Sequence, residues 1–326
     1  MAVYKKQLKV SPYADALDQI VNIGNLDYLR NISFEFAGTL TATGGTTDGT
    51  LQEDGLLRTV LNILTFTANG SDPFGLTDAT GEYFRRAIMS GSPGVLVSTM
   101  PTGAASTSQR FHVVVDFDQL QTAARFAGRI PARRLSSLDL RIQGGAVGTD
   151  MVTGGDRVES MTGTLTIVAL YDDSPRGYKG GGRRITKKRV ALSAANDDYE
   201  VAIPSGLLVS DILLKVVDDS ARNNALLTNL EVRIGDRDVR FKSTFLDTQS
   251  DNVERFGLEL SSGAPPYTGL ALIHFDEDGD MSPSKLLNTV GLKVEGGKLI
   301  FKNIGPTGTA YVDVYVYAVD PAGVGR

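Results

Sequence analysis

The chain has 326 residues, of which 41% are hydrophobic and 22% charged, the balance of a soluble globular protein long enough for two domains. Its formal net charge of -5 excludes a global basic field that would draw it onto nucleic acid, and the lack of any cysteine excludes disulfides and thiolate metal sites. No apolar run approaches the ~20 residues of a membrane helix, since the best candidate, Leu207 to Val217, is broken by Ser210, Asp211 and Lys215.

The first ten residues carry Lys5, Lys6 and Lys9 and have no apolar core of the signal-peptide kind. The expectation is a protein made in the cytoplasm and not secreted by that route. Ser11-Pro12 reads as a helix start, and Tyr13, Leu17, Ile20 and Val21 continue at helical spacing towards Gly24. Ile32, Phe34 and Phe36 alternate with Ser33, Glu35 and Ala37, as in a half-buried strand. A Gly/Thr/Asp loop over 43–55 leads to a strand over 59–68, closed by the turn signal Asn69-Gly70. A short helix is predicted over 80–89, then strands over 94–99 and 111–117, a helix from Asp118 to Phe126, and strands over 137–143 and 163–171. Residues 173–189 read as a Gly-rich basic linker. Beyond it, strands are predicted over 199–203, 207–217, 227–234, 237–245, 256–261, 269–275, 289–295, 298–302 and 309–318.

The order of events repeats. Phe111-His-Val-Val-Val-Asp-Phe-Asp118 is echoed by Leu270-Ala-Leu-Ile-His-Phe-Asp-Glu-Asp278. Ser137 to Gly145 is echoed by Val290 to Gly297, each ending in Gly-Gly, and the closing strand Thr164 to Asp172 by Ala310 to Val319. This is the pattern of a duplicated all-β unit. It divides the chain into 1–172, with an N-terminal helix and a first unit, the linker 173–189, and a second unit over 190–326. So many strands with so little helix point to sandwiches or barrels.

Signals for chemistry are sparse. The two histidines, His112 and His274, both fall within predicted strands, where a hydrogen-bonded strand histidine is the simplest expectation. The sequence has no Gly-x-Ser-x-Gly elbow, dinucleotide fingerprint or phosphate-binding loop. No catalytic residue and no cofactor is therefore assigned. Asp276, Asp278 and Asp280 are a weak candidate for a cation site. The calcium-loop pattern fails, because Met281 and Leu287 stand where it needs Gly and Glu. Arg176, Lys179, Arg183, Arg184, Lys187, Lys188 and Arg189 concentrate positive charge in the linker. With Lys5, Lys6 and Lys9 they are candidates for contact with nucleic acid or anionic lipid. The alternative is a solvated stretch that discourages strand pairing.

Two β-units in tandem across nearly the whole chain resemble the double jelly-roll major capsid proteins of tailless icosahedral viruses. That lineage includes adenovirus hexon and the membrane-containing bacteriophages. Asp118 to Phe126 and Ser282 to Leu287 fall where that family has helices between its F and G strands. Val60 to Gly70 is similar to the second strand and turn of its first barrel. The resemblance implies two consecutive eight-stranded jelly-roll β-barrels with short helices in loops. It implies a non-enzymatic structural protein of the virion, synthesised in the host cytoplasm, whose homotrimers form pseudo-hexagonal capsomers. Implied partners are further copies of the chain, penton or minor capsid proteins, and internal membrane lipid or genome reached through an inward-facing basic patch. An alternative reading is a carbohydrate-binding or adhesin-like module of a virion fibre or baseplate. Sugar sites recruit aromatics, and the chain offers 11 Tyr but no Trp. A third reading, a glycan-active enzyme on a β-scaffold, needs a carboxylate or histidine constellation that the sequence does not single out.

Overall fold

The computed structural model describes residues 3–24, 27–91, 94–117, 129–173, 182–235, 238–258, 267–276, 285–291 and 297–323. In chain order the first half carries β1 (Val3–Pro12), β2 (Asp18–Asn22), β3 (Tyr28–Thr43), β4 (Thr50–Leu51), α1 (Gly55–Val60), β5 (Ile63–Ala68) and β6 (Asp72–Thr77). It continues with α2 (Ala79–Ser90), β7 (Leu96–Val97), β8 (Ser106–Asp116), β9 (Leu138–Gln143), β10 (Val152–Thr153) and β11 (Val158–Asp172). The second half carries β12 (Gly182–Leu192), β13 (Asn196–Ile203), β14 (Leu208–Asp218), β15 (Ala221–Arg222), β16 (Leu227–Ile234) and β17 (Asp238–Thr244). After these come α3 (Phe245–Phe256), β18 (Leu270–His274), β19 (Leu287–Asn288), β20 (Gly297–Asn303) and β21 (Ala310–Asp320).

Sheet order confirms the duplication. In the first unit β1-β11-β3-β8 form one sheet and β2-β9-β5-β6 the other. In the second unit β12-β21-β14-β18 and β13-β20-β16-β17 repeat that order strand for strand. Each unit is thus an eight-stranded jelly roll of two packed sheets. The two helices of 12 residues occupy matching places, α2 after β6 and α3 after β17.

The two units are joined edge to edge. β12 lies beside β6, with Ile185 paired in parallel to Gly75, so one sheet runs through both halves. The portion made by β12, β21, β14 and β18 is covered on both faces. Ile212, Leu214, Val314 and Val316 point into the second barrel's core, whereas Leu213, Tyr315, Tyr317 and Ile185 belong to the core of the first half. That double burial explains why β14 and β21 read as nearly continuous apolar runs rather than as alternating ones. Within the first barrel, Phe66 meets Phe117 edge-on at 5.4 Å and Phe36 stacks on Phe111 at 5.6 Å.

Several sequence expectations are corrected. The helix predicted from Ser11 to Gly24 is the end of β1 followed by β2. Val21 and Ile23 are buried while Ile20 is 68% exposed, a period of two, and β2 pairs with β9 from Asp18↔Gln143 to Asn22↔Asp139. Pro12 is tolerated because β1 is an edge strand. The strand predicted from residue 59 begins instead with helix α1, and Phe256 ends α3 rather than starting a strand. The counterpart of β9 is β20, which begins where the predicted echo ends. Lys285 to Leu287 is turn and strand, not helix. The predicted helix from Asp118 to Phe126 lies outside the described residues. Residues 182–189 of the expected linker are strand β12.

α2 is seated so closely that a Cβ on Gly81 would stand 2.4 Å from Cε1 of Tyr315. Gly81→Ala is expected to destabilise the protein by about 1–3 kcal/mol, because a well-packed contact must open. Denaturant midpoints measure it. Gly148→Ala, where a Cβ meets nothing within 4 Å, is the control that leaves the midpoint nearly unchanged.

Candidate functional site

The residues that concentrate chemistry lie where α2 of the first unit covers the central sheet of the second. Strand alternation places Arg183, Lys187, Asp211, Lys215, Asp313, Tyr315 and Tyr317 on the sheet face that meets α2. On α2, Asp78 at the N-cap, Glu82 and Arg85 recur at helical spacing and point back at them.

Arg85 and Asp211 form the centre. Both are fully buried, and Nη2 donates to Oδ2 at 2.8 Å. Asp211 also accepts from Ser210 Oγ at 2.9 Å and pairs with His274 Nδ1, whose Nε2 contacts the carbonyl of Asp276 at 2.9 Å. Arg183 lies 3.7 Å from the same carboxylate. Its guanidinium makes no hydrogen bond among the described residues and rests 5.4 Å from the Tyr317 ring, which Arg85 approaches at 4.3 Å. Burial would raise the Asp211 pKa, but Arg85, His274 and Arg183 outweigh it and hold the group well below the usual carboxylate range. Burial, reinforced by Arg85, pushes the Arg183 pKa down to about 10. Glu82 is bonded by a neutral hydroxyl rather than by a guanidinium. It accepts from Thr77 Oγ1 at 2.7 Å, and burial raises its pKa to about 7.

Further pairs tie the two units along the same boundary. Asp78 caps α2 by accepting from Gly81 N at 2.7 Å, and it also accepts from Tyr315 Oη and Lys187 Nζ. Burial works against the Asp78 carboxylate, yet Lys187 and Lys215 lower its pKa. Lys215 reaches Asp54 Oδ2 at 3.4 Å, and Arg222 Nε donates to Glu53 Oε1 at 2.7 Å. Arg184 donates to Asp72 at 3.0 and 3.2 Å and to Asp320 at 2.7 Å.

This network absorbs most of the basic patch expected from the sequence. Arg183 and Lys187 face α2, Arg184 is held between two carboxylates, and Arg189 bonds Asp313 at 2.7 Å while covering Tyr311. Arg183, Arg184 and Lys187 thus lie within reach of carboxylates inside the protein, while Arg189 pairs with Asp313 and keeps an exposed side chain. Lys188, Lys5 and Lys6 are exposed and Lys9 is half-buried. Arg176, Lys179, Asp278 and Asp280 lie outside the described residues. Asp276 is buried at 3% exposure, and no metal-ligating cluster is found among the described residues.

Sequence reasoning missed Asp78, Glu82, Arg85, Asp211, Lys215 and Asp313. The available signal was charge at every second or fourth position within otherwise apolar strands. A separate groove of about 480 Å³ on the β13-β20-β16-β17 sheet is lined by Asp198, Arg233, Lys242 and Ile300. The Glu231 carboxylate in it is already engaged by Arg233 and Lys242.

Two outcomes follow from the network. Asp211→Ala, which strands Arg85 and Arg183 in the interior, is expected to cost about 3–5 kcal/mol in a denaturant titration. The folded-state pKa of Glu82 lies above its ordinary 4.5, so the folded chain binds more protons and its stability falls as pH rises through that window. Glu82→Gln removes this term. The stability difference in favour of the variant is expected to grow by up to about 3 kcal/mol between about pH 5 and about pH 8.

No protein-family model matches the sequence, and no curated protein matches it significantly. Solved structures do match. The STIV major capsid protein superposes with a TM-score of 0.78 at 14% identity, over 99% of this chain and 98% of that chain. A chain of Sulfolobus Turreted Icosahedral Virus gives 0.76 at 15% identity, over 98% of this chain and 91% of its own. The major capsid protein P2 of bacteriophage PM2 gives 0.53 at 9% identity, over 98% of each chain. At these identities the likeness carries the architecture: the chain is a double jelly roll, built as these capsid proteins are.

Proposed function

We propose that this chain is a major capsid protein, a structural subunit whose homotrimers tile the shell of an icosahedral virus. The observation that carries the reading is the end-to-end match to the STIV major capsid protein, 99% of one chain on 98% of the other. Both barrels take part in the match. The buried network supports the same reading. Among the described residues, ion pairs cross between the halves at Asp72–Arg184, Asp78–Lys187, Arg85–Asp211, Asp54–Lys215, Glu53–Arg222 and Asp54–Arg222. Two barrels fixed in this way make one stiff tile with two similar corners, which a shell needs and a pair of tethered binding modules does not.

In this reading the first barrel spans residues up to 172, the connection falls within 173–181, and the second barrel starts with β12. The chain's partners are its own copies and neighbouring capsomers, with penton or minor capsid proteins at special positions of the shell. The exposed cations Lys5, Lys6, Lys188 and Arg189 are this reading's candidates for contact with membrane lipid or genome. The virion is its place of action. Three identical corners closing on an axis give a heterologous interface that repeats without open ends.

Light scattering on the purified protein tests the reading. A stable particle of three times the 34.8 kDa chain is expected, with larger assemblies visible by electron microscopy. A monomer over a wide concentration range overturns it.

A further inference from the structure

The face of the central sheet under α2 holds more buried donors than its carboxylates accept from, and the excess is gathered at Arg183. Packing closes over this side chain completely: Arg183, Asp211 and Tyr317 are 0% exposed and Arg85 is 1% exposed. None of the three guanidinium nitrogens of Arg183 has a hydrogen-bond partner among the described residues. Arg85 Nε and Tyr317 Oη are also buried without one. The three side chains adjoin one another, since both guanidiniums lie against the Tyr317 ring, at 4.3 Å for Arg85 and 5.4 Å for Arg183. A guanidinium offers five N–H donors and accepts nothing. Buried polar groups are nearly always bonded, to protein, to water or to an ion, and a charged donor left bare is strongly unfavourable.

The neighbouring carboxylates are committed elsewhere. Asp211 Oδ2 accepts from Arg85 Nη2 at 2.8 Å and from Ser210 Oγ at 2.9 Å, and Oδ1 is held by His274 Nδ1. Arg183 Nη2 stands 3.7 Å from Oδ2, near enough for attraction and too far for a hydrogen bond. Asp78 accepts from Gly81, Tyr315 and Lys187, and Asp313 accepts twice from Arg189. Glu82 is close enough to feel both guanidiniums, but its hydrogen bond is to Thr77 and it forms no ion pair with Arg183 among the described residues. Burial pushes the Glu82 pKa up to about 7, so near neutrality this group is only a partial counter-charge. Two guanidiniums then share one full negative charge, that of Asp211.

We infer that Arg183 holds a buried monatomic anion, chloride in ordinary buffers, on the face of the central sheet that α2 covers. Such an ion accepts from several N–H groups at once, needs no donor or acceptor of its own, and supplies the missing charge. A water molecule would satisfy some of the same donors, but it brings two hydrogens that need acceptors and no charge. Closure on all sides excludes a phosphate or a sulfate. The ion sits within one chain at the join of the two barrels and is expected in a single subunit and in an assembly alike.

Urea unfolding at fixed protein concentration tests the site, because urea brings no halide of its own. Sodium chloride is exchanged for sodium gluconate, whose anion is too large for a closed site, at constant ionic strength. One ion bound only by the folded chain is expected to raise the folded-to-unfolded ratio about tenfold for each tenfold rise in chloride above its dissociation constant. Arg183→Met removes the donors and leaves Asp211 its bonds to Arg85, Ser210 and His274. The variant is expected to lose the chloride dependence, while general salt effects act on both proteins alike. Wild-type protein refolded from urea and crystallised in sodium bromide is expected to show an anomalous peak at bonding distance from the Arg183 guanidinium. A wild-type stability indifferent to chloride, an equal dependence in the variant, or crystals with water alone at Arg183 and bromide only on the surface overturns the site.

Discussion

The structure depends on a charge pair placed where water cannot reach it. Arg85 and Asp211 come from different jelly rolls and are both buried. Removing two such charges from water costs several kcal/mol each, and their attraction roughly repays it. The pair therefore adds little net stability to a correctly joined molecule. It acts against incorrect joins, because any other placement of α2 on the central sheet leaves a buried charge without its partner. Asp78 works in the same sense. It caps α2 and accepts from Tyr315 and Lys187 of the other unit, so the helix start and the join between barrels share one carboxylate. Apolar packing alone would hold the barrels together but would permit sliding.

That constraint separates a tile from a tether. A flexible double module keeps its domains independent and uses their separate surfaces. Here the central sheet serves two cores at once: Leu214 and Val316 on one face, Leu213 and Tyr317 on the other. The second barrel cannot move away from the first without exposing Tyr315, Tyr317 and the buried charges around them. The two barrels are thus coupled through packed side chains.

Much of this was legible in the sequence. Alternation marked β3, β9 and β16, and the echo of β8 in β18 and of β11 in β21 revealed the duplication. The helix over 80–89 is α2, displaced by one residue at each end. The misses have physical causes. α3 hides because its buried side includes Thr248, Gln249 and Asn252 as well as Phe245 and Phe256. Asn252 bonds both the N–H and the carbonyl of Leu272, and Gln249 bonds the carbonyl of Leu270, so polar side chains replace the missing strand neighbour of β18. Hydrophobic periodicity cannot detect a helix packed by amides. β2 was misread because five residues fit a helix and a strand equally well, and only pairing with β9 decides between them. The basic stretch from Arg183 to Arg189 was read as one surface because a sequence does not show which carboxylates fold back to meet it. Asp72, Asp78, Asp211 and Asp313 lie between 109 and 126 residues from their partners, on elements whose adjacency only topology sets.

The two units have the same architecture and opposite fates at their edges, and the residues explain why. β12 is an inner strand, and its side chains could become specialised for a fixed partner: Arg183 and Lys187 are buried or half-buried and matched to carboxylates. β1 and β17 end their sheets among the described residues. An open strand edge pairs with any other open edge unless charge or proline prevents it. β1 carries Lys5, Lys6, Lys9 and Pro12, and β17 carries Asp238, Arg240 and Lys242. These residues repel indiscriminate pairing of like edges, and they do so without closing the edge to a surface of matching charge. For the proposed capsomer, charged edges serve better than apolar ones, since charge discriminates among partners where apolar surface does not.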